Sequence, residues 1–399
     1  MRPLRVLLLT PAALPSVAGN ATTAERWRRS LAALGHDVRV LAAAGLGPGD
    51  LAEEIRSFRP DVLHAHHASR AGSAAAAESP AGLPLVVSLA GTDLYLDLAS
   101  PHRGAGVASA CRRAAAIVAQ SEDAWLRLGE ELPEVRGRIV FVAKAFAWLG
   151  CEDWDLRAAA GVGAGDFLFF FPAGVRPVKG NLECLRVLEA AHRERPRIRA
   201  VFAGPALDAA YADRFGREVE RLSAFARWLP PIPPPRMRAA YAAADAVLNA
   251  SFAEGASNAL LEAMAAGRPV LASDIPGNRG VLNGQNGRAP AALLFDLRTQ
   301  EDFVRQALRL VDDGDLRKDL GKAGTERASR WPDAAQEAEC LVRVYRSAIE
   351  GCPHGRSNNA IRGPRGASPT LQMQLATNST LSHSRSVGSW FPLPSRGEG

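Results

Sequence analysis

The chain has little that would staple it or anchor it. Its five cysteines, Cys111, Cys151, Cys184, Cys340 and Cys352, are odd in number and never two apart. That spacing excludes a disulfide framework and a zinc site and reads as the scattered reduced thiols of a cytoplasmic protein. Aromatic residues make up only 6% of the 399, and no run of about eighteen apolar residues occurs, so a membrane-spanning helix is not expected. The opening stretch from Arg5 to Leu9 is too short for a signal peptide and is followed by Pro11 and Pro15; it reads as a buried first strand. No Walker A sequence and no His-Glu-x-x-His occur, and Gly161-Val-Gly-Ala-Gly165 precedes a strand, where a dinucleotide fingerprint would link strand to helix. The net charge is +6, but five arginines against one glutamate after Gly351 account for +4 of it. The body has no block of Lys and Arg interleaved with aromatics, so nucleic acid is not an expected partner.

What is present is apolar residues, 47% of the chain, in a repeating order. Short apolar runs at Leu4 to Leu9, Val38 to Leu41, Val62 to Ala65, Leu85 to Leu89, Ile117 to Ala119 and Ile139 to Val142 alternate with helical patterns. This alternation is the mark of a parallel α/β sheet. Thr22-x-x-Glu25 predicts a capping box, and the helix after it sets Trp27, Leu31 and Leu34 on one stripe before Gly35. An Ala/Gly-rich stretch from 150 to 166 marks a boundary, after which strands at Phe167 to Phe171, Ala200 to Ala203, Ala246 to Leu248 and Val270 to Ala272 start a second alternation. The expected organisation is a first domain over 1–150, a second over 166–332, a helix over 333–350 that returns to the first domain, and a disordered Ser/Pro/Gly/Arg-rich tail over 351–399.

The chemistry concentrates between Ser251 and Val270. Ser257 is a candidate N-cap for a helix of strong helix formers, and Gly267 and Pro269 end it. Glu254 then precedes the helix and Glu262 lies inside it. The free N–H groups of the first turn, near Gly255, Ala256 and Ser257, suit a diphosphate. Arg176 and Lys179 supply the cationic counterweight; placed at a helix start, they are unfavourable unless an anion is bound. Gly19 and Asn20 fit a turn that brings backbone close to a phosphate or sugar. On a strand His64 and His66 share a face and His67 points away, so metal ligation there is not expected.

Together, Arg176, Lys179 and Gly180, Gly204-Pro205, and the Glu254 to Glu262 element with its Leu-Leu-Glu-Ala-Met-Ala-Ala-Gly-Arg-Pro-Val continuation resemble glycosyltransferase family 4. The resemblance covers roughly residues 1–350. It implies an α/β chain of the GT-B fold, two Rossmann-like domains facing across a cleft, and retaining, metal-independent transfer from a nucleotide sugar, a UDP-sugar first among the candidates. Donor residues would be Arg176, Lys179, Gly204, Gly255, Ala256, Ser257 and Glu262, with Glu254 on the sugar; Gly19, Asn20, His67, Arg70, Thr92 and Asp93 would face the acceptor. No cofactor or metal is expected beyond the nucleotide sugar as co-substrate. Glu254, His67 and Asp93 are the catalytic candidates. A narrower likeness, carried by Gly19 to Arg29, His67-x-x-Arg70, Gly91-Thr92-Asp93 and Asp274 to Asn278, is to glycosyltransferase 1 domain-containing proteins and to selenosugar synthases, which would join selenophosphate to a UDP-sugar. The sequence departs from many members at Ala90, where they carry a histidine that touches the donor sugar. That departure keeps open a non-catalytic nucleotide-sugar binder, and a GT-B epimerase, which would share the fold, is a further alternative. Arg26, Arg28 and Arg29 hint at attachment to the inner membrane face.

Overall fold

The computed structural model describes residues 2–16, 18–282 and 290–351. The expected disorder of the tail therefore falls on residues outside those described. Twelve described strands form two sheets of six, with every pairing parallel. The first contains β1 (Arg5–Thr10), β2 (Asp37–Ala42), β3 (Val62–His66), β4 (Leu85–Ser88), β5 (Ala116–Ala119) and β6 (Ile139–Phe141), in the order β2-β1-β3-β4-β5-β6. The second contains β7 (Phe167–Pro172), β8 (Ile198–Ala203), β9 (Ala226–Leu229), β10 (Ala246–Asn249), β11 (Val270–Ser273) and β12 (Ala292–Phe295), in the order β12-β11-β10-β7-β8-β9. The interior strands are apolar on both faces because helices cover both, as parallel sheets require.

In each sheet the strand order reverses direction at one place, between β1 and β3 in the first and between β7 and β10 in the second. At such a point the loops leaving neighbouring strands diverge and leave a crevice. The sequence places Gly19-Asn20 and His67 to Arg70 after β1 and β3, and Arg176 and Glu254 after β7 and β10. Both crevices open onto one cleft of about 430 Å³.

Several local expectations are corrected. The first helix spans Gly19–Ala33, so Gly19 and Asn20 form its first turn. Thr22 lies inside it and bonds back to the Gly19 carbonyl, while Glu25 pairs with Arg28 and Arg29; no capping box forms. Trp27 and Leu31 are buried, but Leu34 lies past the helix end and is exposed. The edge strands β9 and β12 were not anticipated.

The last helix, Ala334–Glu350, begins with a capping box of Asp333 and Gln336 and lays Leu341, Val344 and Tyr345 on the first sheet beside Trp27 and Leu31. A buried pair locks it there: Arg26 Nε and Nη2 donate to Glu337 Oε2 and Oε1 at 3.0 and 3.2 Å, and Gln120 donates to the same carboxylate. Beneath it His64 is sandwiched, with Nδ1 2.7 Å from the Tyr345 hydroxyl, Nε2 2.6 Å from Ser88 Oγ, and its ring stacked on Trp27.

Burial lowers His64 to about 3 and drives His66 well below its ordinary value, so both are neutral in the fold. Their contribution is present above the unfolded value near 6.5 and is lost as pH falls from there toward 3. The unfolding free energy from urea titrations should fall by up to about 1.4 kcal/mol per pH unit for each histidine as pH drops below about 6. A flat profile would contradict this burial.

Candidate functional site: the cleft between the lobes

After β7 the chain turns through Gly174, and Arg176 enters the cleft in extended conformation just before the short turn Pro177–Lys179. Burial lowers its guanidinium, the nearby Glu254 raises it, and Arg70 lowers it again. Its Nε is buried without a hydrogen-bond partner among the described residues. Lys179 forms an ion pair with Glu254, both side chains being largely buried, and the Ser251 hydroxyl donates to the same carboxylate oxygen at 2.8 Å. Burial alone would push Glu254 up; Lys179, Ser251 and Arg176 outweigh it and hold the carboxyl below its ordinary range.

The motif helix runs Asn258–Ala265. Ser257 occupies its N-cap position without capping it, because its hydroxyl accepts from Asn249 Nδ2 at 3.3 Å. No acid lies in the first turn. The first amides thus face the cleft without a side-chain acceptor, an arrangement complementary to an anion. Glu262, one turn in, also lines the cleft; burial pushes it up to about 7, and Tyr241, Lys144 and Arg26 pull against that rise. Gly204, at φ +155, lets backbone lie where a Cβ would stand 2.3 Å from the Ala173 carbonyl oxygen.

In the first lobe His67 sits at φ +82, an uncommon conformation outside glycine, and its Nδ1 accepts from the Arg70 amide. The proton then lies on Nε2, which donates to Thr92 Oγ1 at 3.1 Å. Burial lowers His67, partly offset by Asp93, so the ring is neutral. Gly19, Asn20, Arg70, Thr92 and Ala90 share this wall.

Two site expectations change. Asp93, expected to face the acceptor, is fully buried: its carboxylate accepts from the amides of Ala68, Ala90, Gly91 and Leu94 at 2.8 to 3.1 Å. It shapes both loops and does not line the cleft. Asp93→Ala should cost about 3 kcal/mol of stability, since four amides lose one charged acceptor, and a denaturant titration checks this. Gly255 likewise lies behind the wall, its backbone packed against Ala90 and Gly91. There the lobes touch: a Cβ on Gly91, whose φ is +107, would meet the Gly255 nitrogen at 2.1 Å. Asn258 Nδ2 adds a contact, 3.3 Å from the Gly19 carbonyl oxygen.

Sequence reasoning missed Lys144, Phe146, Trp148 and Tyr241, all lining the cleft. For Lys144 a signal existed: it is the single charge in Val142-Ala-Lys-Ala-Phe146, directly after a strand. Of the three arginines suggested for membrane attachment, Arg26 is buried on Glu337, while the half-buried Arg28 and the exposed Arg29 share Glu25. No helix among the described residues is long and apolar enough to cross a membrane.

Two doubly wound lobes meeting over a cationic cleft, with an open helix start at the switch point of one, define a two-lobed α/β transferase architecture. Family models agree: "Glycosyl transferase 4-like domain" matches residues 48–144 and "Glycosyl transferases group 1" matches residues 166–313, together more than half of the chain. Glycosyltransferase 1 domain-containing protein 1 of Xenopus tropicalis is 25% identical over 352 residues, 87% of this chain and 97% of that protein. A D-inositol 3-phosphate glycosyltransferase of Pseudarthrobacter chlorophenolicus is 34% identical over 125 residues, 31% of this chain and 28% of that protein. Among solved structures, Anabaena HepE in complex with UDP-glucose superposes with a TM-score of 0.69 at 18% identity, covering 86% of this chain and all of that one. Sucrose-phosphate synthase of Thermosynechococcus elongatus gives 0.69 at 17%, covering 88% of this chain and all of that one. The chain belongs to the glycosyltransferases of the GT-B fold.

Proposed function

We propose that the protein is a retaining, metal-independent glycosyltransferase that takes its sugar from a UDP-sugar. The observation that carries this is the pairing of an unpartnered, buried guanidinium edge on Arg176 with the uncapped start of the motif helix, in one cleft. The diphosphate rests on that helix start and Arg176, with Lys179 shared between it and Glu254. Glu262 takes the ribose diol, and Glu254 the sugar hydroxyls. Phe146, Trp148 and Tyr241 supply apolar surface for the base, and Ile232 offers the only backbone N–H between Pro230 and Pro235.

When the bond from the anomeric carbon to the phosphate oxygen breaks, its electron pair stays on the diphosphate, where fixed cations and amides stabilise it. Glu254, held by Lys179 and Ser251, suits a hydrogen-bond acceptor better than a nucleophile. The acceptor oxygen therefore attacks on the face the diphosphate leaves, and its proton passes to the departing phosphate oxygen. The charge is met by side chains and amides, so the reading requires no metal. Closure of the lobes over a bound donor would keep water from it.

A second reading is favoured by Arg70, which lies exposed in the acceptor wall with no ion pair among the described residues. It suits an acceptor that brings its own negative charge, as phosphate or selenophosphate would. A nucleotide-release screen against UDP-, GDP- and ADP-sugars, with neutral acceptors, phosphate or selenophosphate and with Glu254→Gln as control, tests both readings. Acceptor-dependent release of UDP, lost in the variant, is expected. Release without any acceptor product would favour an epimerase or hydrolase, and binding without release a sensor.

A further inference from the structure

Lys144 lies between β6 and the second lobe, buried, with its ammonium on the wall of the cleft. Its Nζ donates to the Ala256 carbonyl at 2.9 Å, directly ahead of the N-cap position of the motif helix. Its own carbonyl accepts from Trp331 Nε1, and two residues on Phe146 bridges to Asp333 at the start of the last helix. One side chain thus sits where the first lobe, the donor loop and the returning helix converge.

The charges facing it come from every neighbouring element: Arg26 on the first helix, His66 on β3, Lys179, Glu254 and Glu262 in the second lobe, and Glu337 on the last helix. All but Glu262, whose carboxyl burial raises to about 7, are already committed. Arg26 is bonded to Glu337 and Lys179 to Glu254, while His66 is neutral. Lys144 has no ion pair among the described residues, and a buried ammonium served by one carbonyl is costly until an anion arrives.

We infer that Lys144 is a positioning residue for the transfer: carried by the acceptor lobe, it fastens the backbone ahead of the motif helix and presents to the donor diphosphate a charge held in no ion pair among the described residues. The inference rests on the donor reading above. Binding energy from the diphosphate would then be spent partly on holding the two lobes together.

Burial holds Lys144 at about 7, so the ammonium loses its proton across neutral pH in the free protein and regains it when an anion binds. The test is calorimetry of UDP and of uridine with the full chain and with Lys144→Met and Lys144→Arg, between about pH 7 and about pH 8.5, above the phosphate ionisation near ~6. In the wild type the preference for UDP over uridine should fall by up to about tenfold per pH unit. Lys144→Met should start about tenfold lower and stay flat; Lys144→Arg should keep the preference and be flat. Uridine affinity, measured in parallel for each variant, carries any change at Glu262, which Lys144 pulls down, so the ratio isolates the diphosphate.

A cooperatively melting Lys144→Met with wild-type preference and slope overturns the inference. Should that variant fail to fold, Lys144→Arg decides, and a slope equal to the wild type overturns it. A wild type that binds no nucleoside diphosphate removes the donor reading as a whole, which is distinct from a pH-flat preference that removes only the part given to Lys144.

Discussion

Arg176→Ala should lower kcat/KM by two to three orders of magnitude while leaving uridine affinity unchanged. The guanidinium is aimed at charge that develops only as the diphosphate departs, and losing one such donor in a water-poor site costs about 3–4 kcal/mol of transition-state stabilisation. Arg176→Lys should recover only part of it, because a point charge cannot reproduce the planar fork. Lys179→Ala should act differently. It removes the ion pair that keeps Glu254 ionised, so the buried carboxyl should rise and the activity optimum move to higher pH. Steady-state kinetics over a pH series separates the two, and full activity in both variants would remove the phosphate role.

Gly91→Ala is the second large effect expected. Its Cβ would stand 2.1 Å from the Gly255 nitrogen and 2.8 Å from the Glu254 carbonyl carbon, at a φ of +107 that alanine rarely adopts. Neither backbone can yield without moving a lobe. Displacing Glu254 and the motif helix from the acceptor wall by about 1 Å should cost about 100-fold in kcat, with nucleoside affinity little changed because that pocket lies in the second lobe. An unchanged kcat would mean that transfer takes place with the lobes further apart than they stand here.

The fold was legible because parallel strands buried on both faces appear as continuous apolar runs, and those from Leu4 to Val270 could be read directly. Among the edge strands, β9 escaped because Arg227 breaks its four residues, whereas β12, the apolar run Ala292–Phe295, was legible and overlooked. Within the site, Arg176, Lys179, Glu254 and Glu262 were legible because they follow strand ends in series with a helix start. Asp93 was misjudged because a sequence shows a carboxylate beside glycine and threonine but not the four amides that converge on it. The capping box at Thr22 failed for a related reason: the helix starts earlier, and Glu25 has two arginines to choose over a backbone amide. Lys144 was overlooked because its meaning depends on a carbonyl 112 residues away.

The last helix, seated on the first sheet through Leu341, Val344 and Tyr345 and bolted by Arg26 to Glu337, means that the polypeptide passes between the lobes twice. Neither half can be excised by one cut near residue 150, since the amino-terminal fragment would expose the stripe around Trp27 that this helix covers. Chimaeras exchanging donor lobes between relatives should therefore transplant an internal segment and leave both chain ends with their original host.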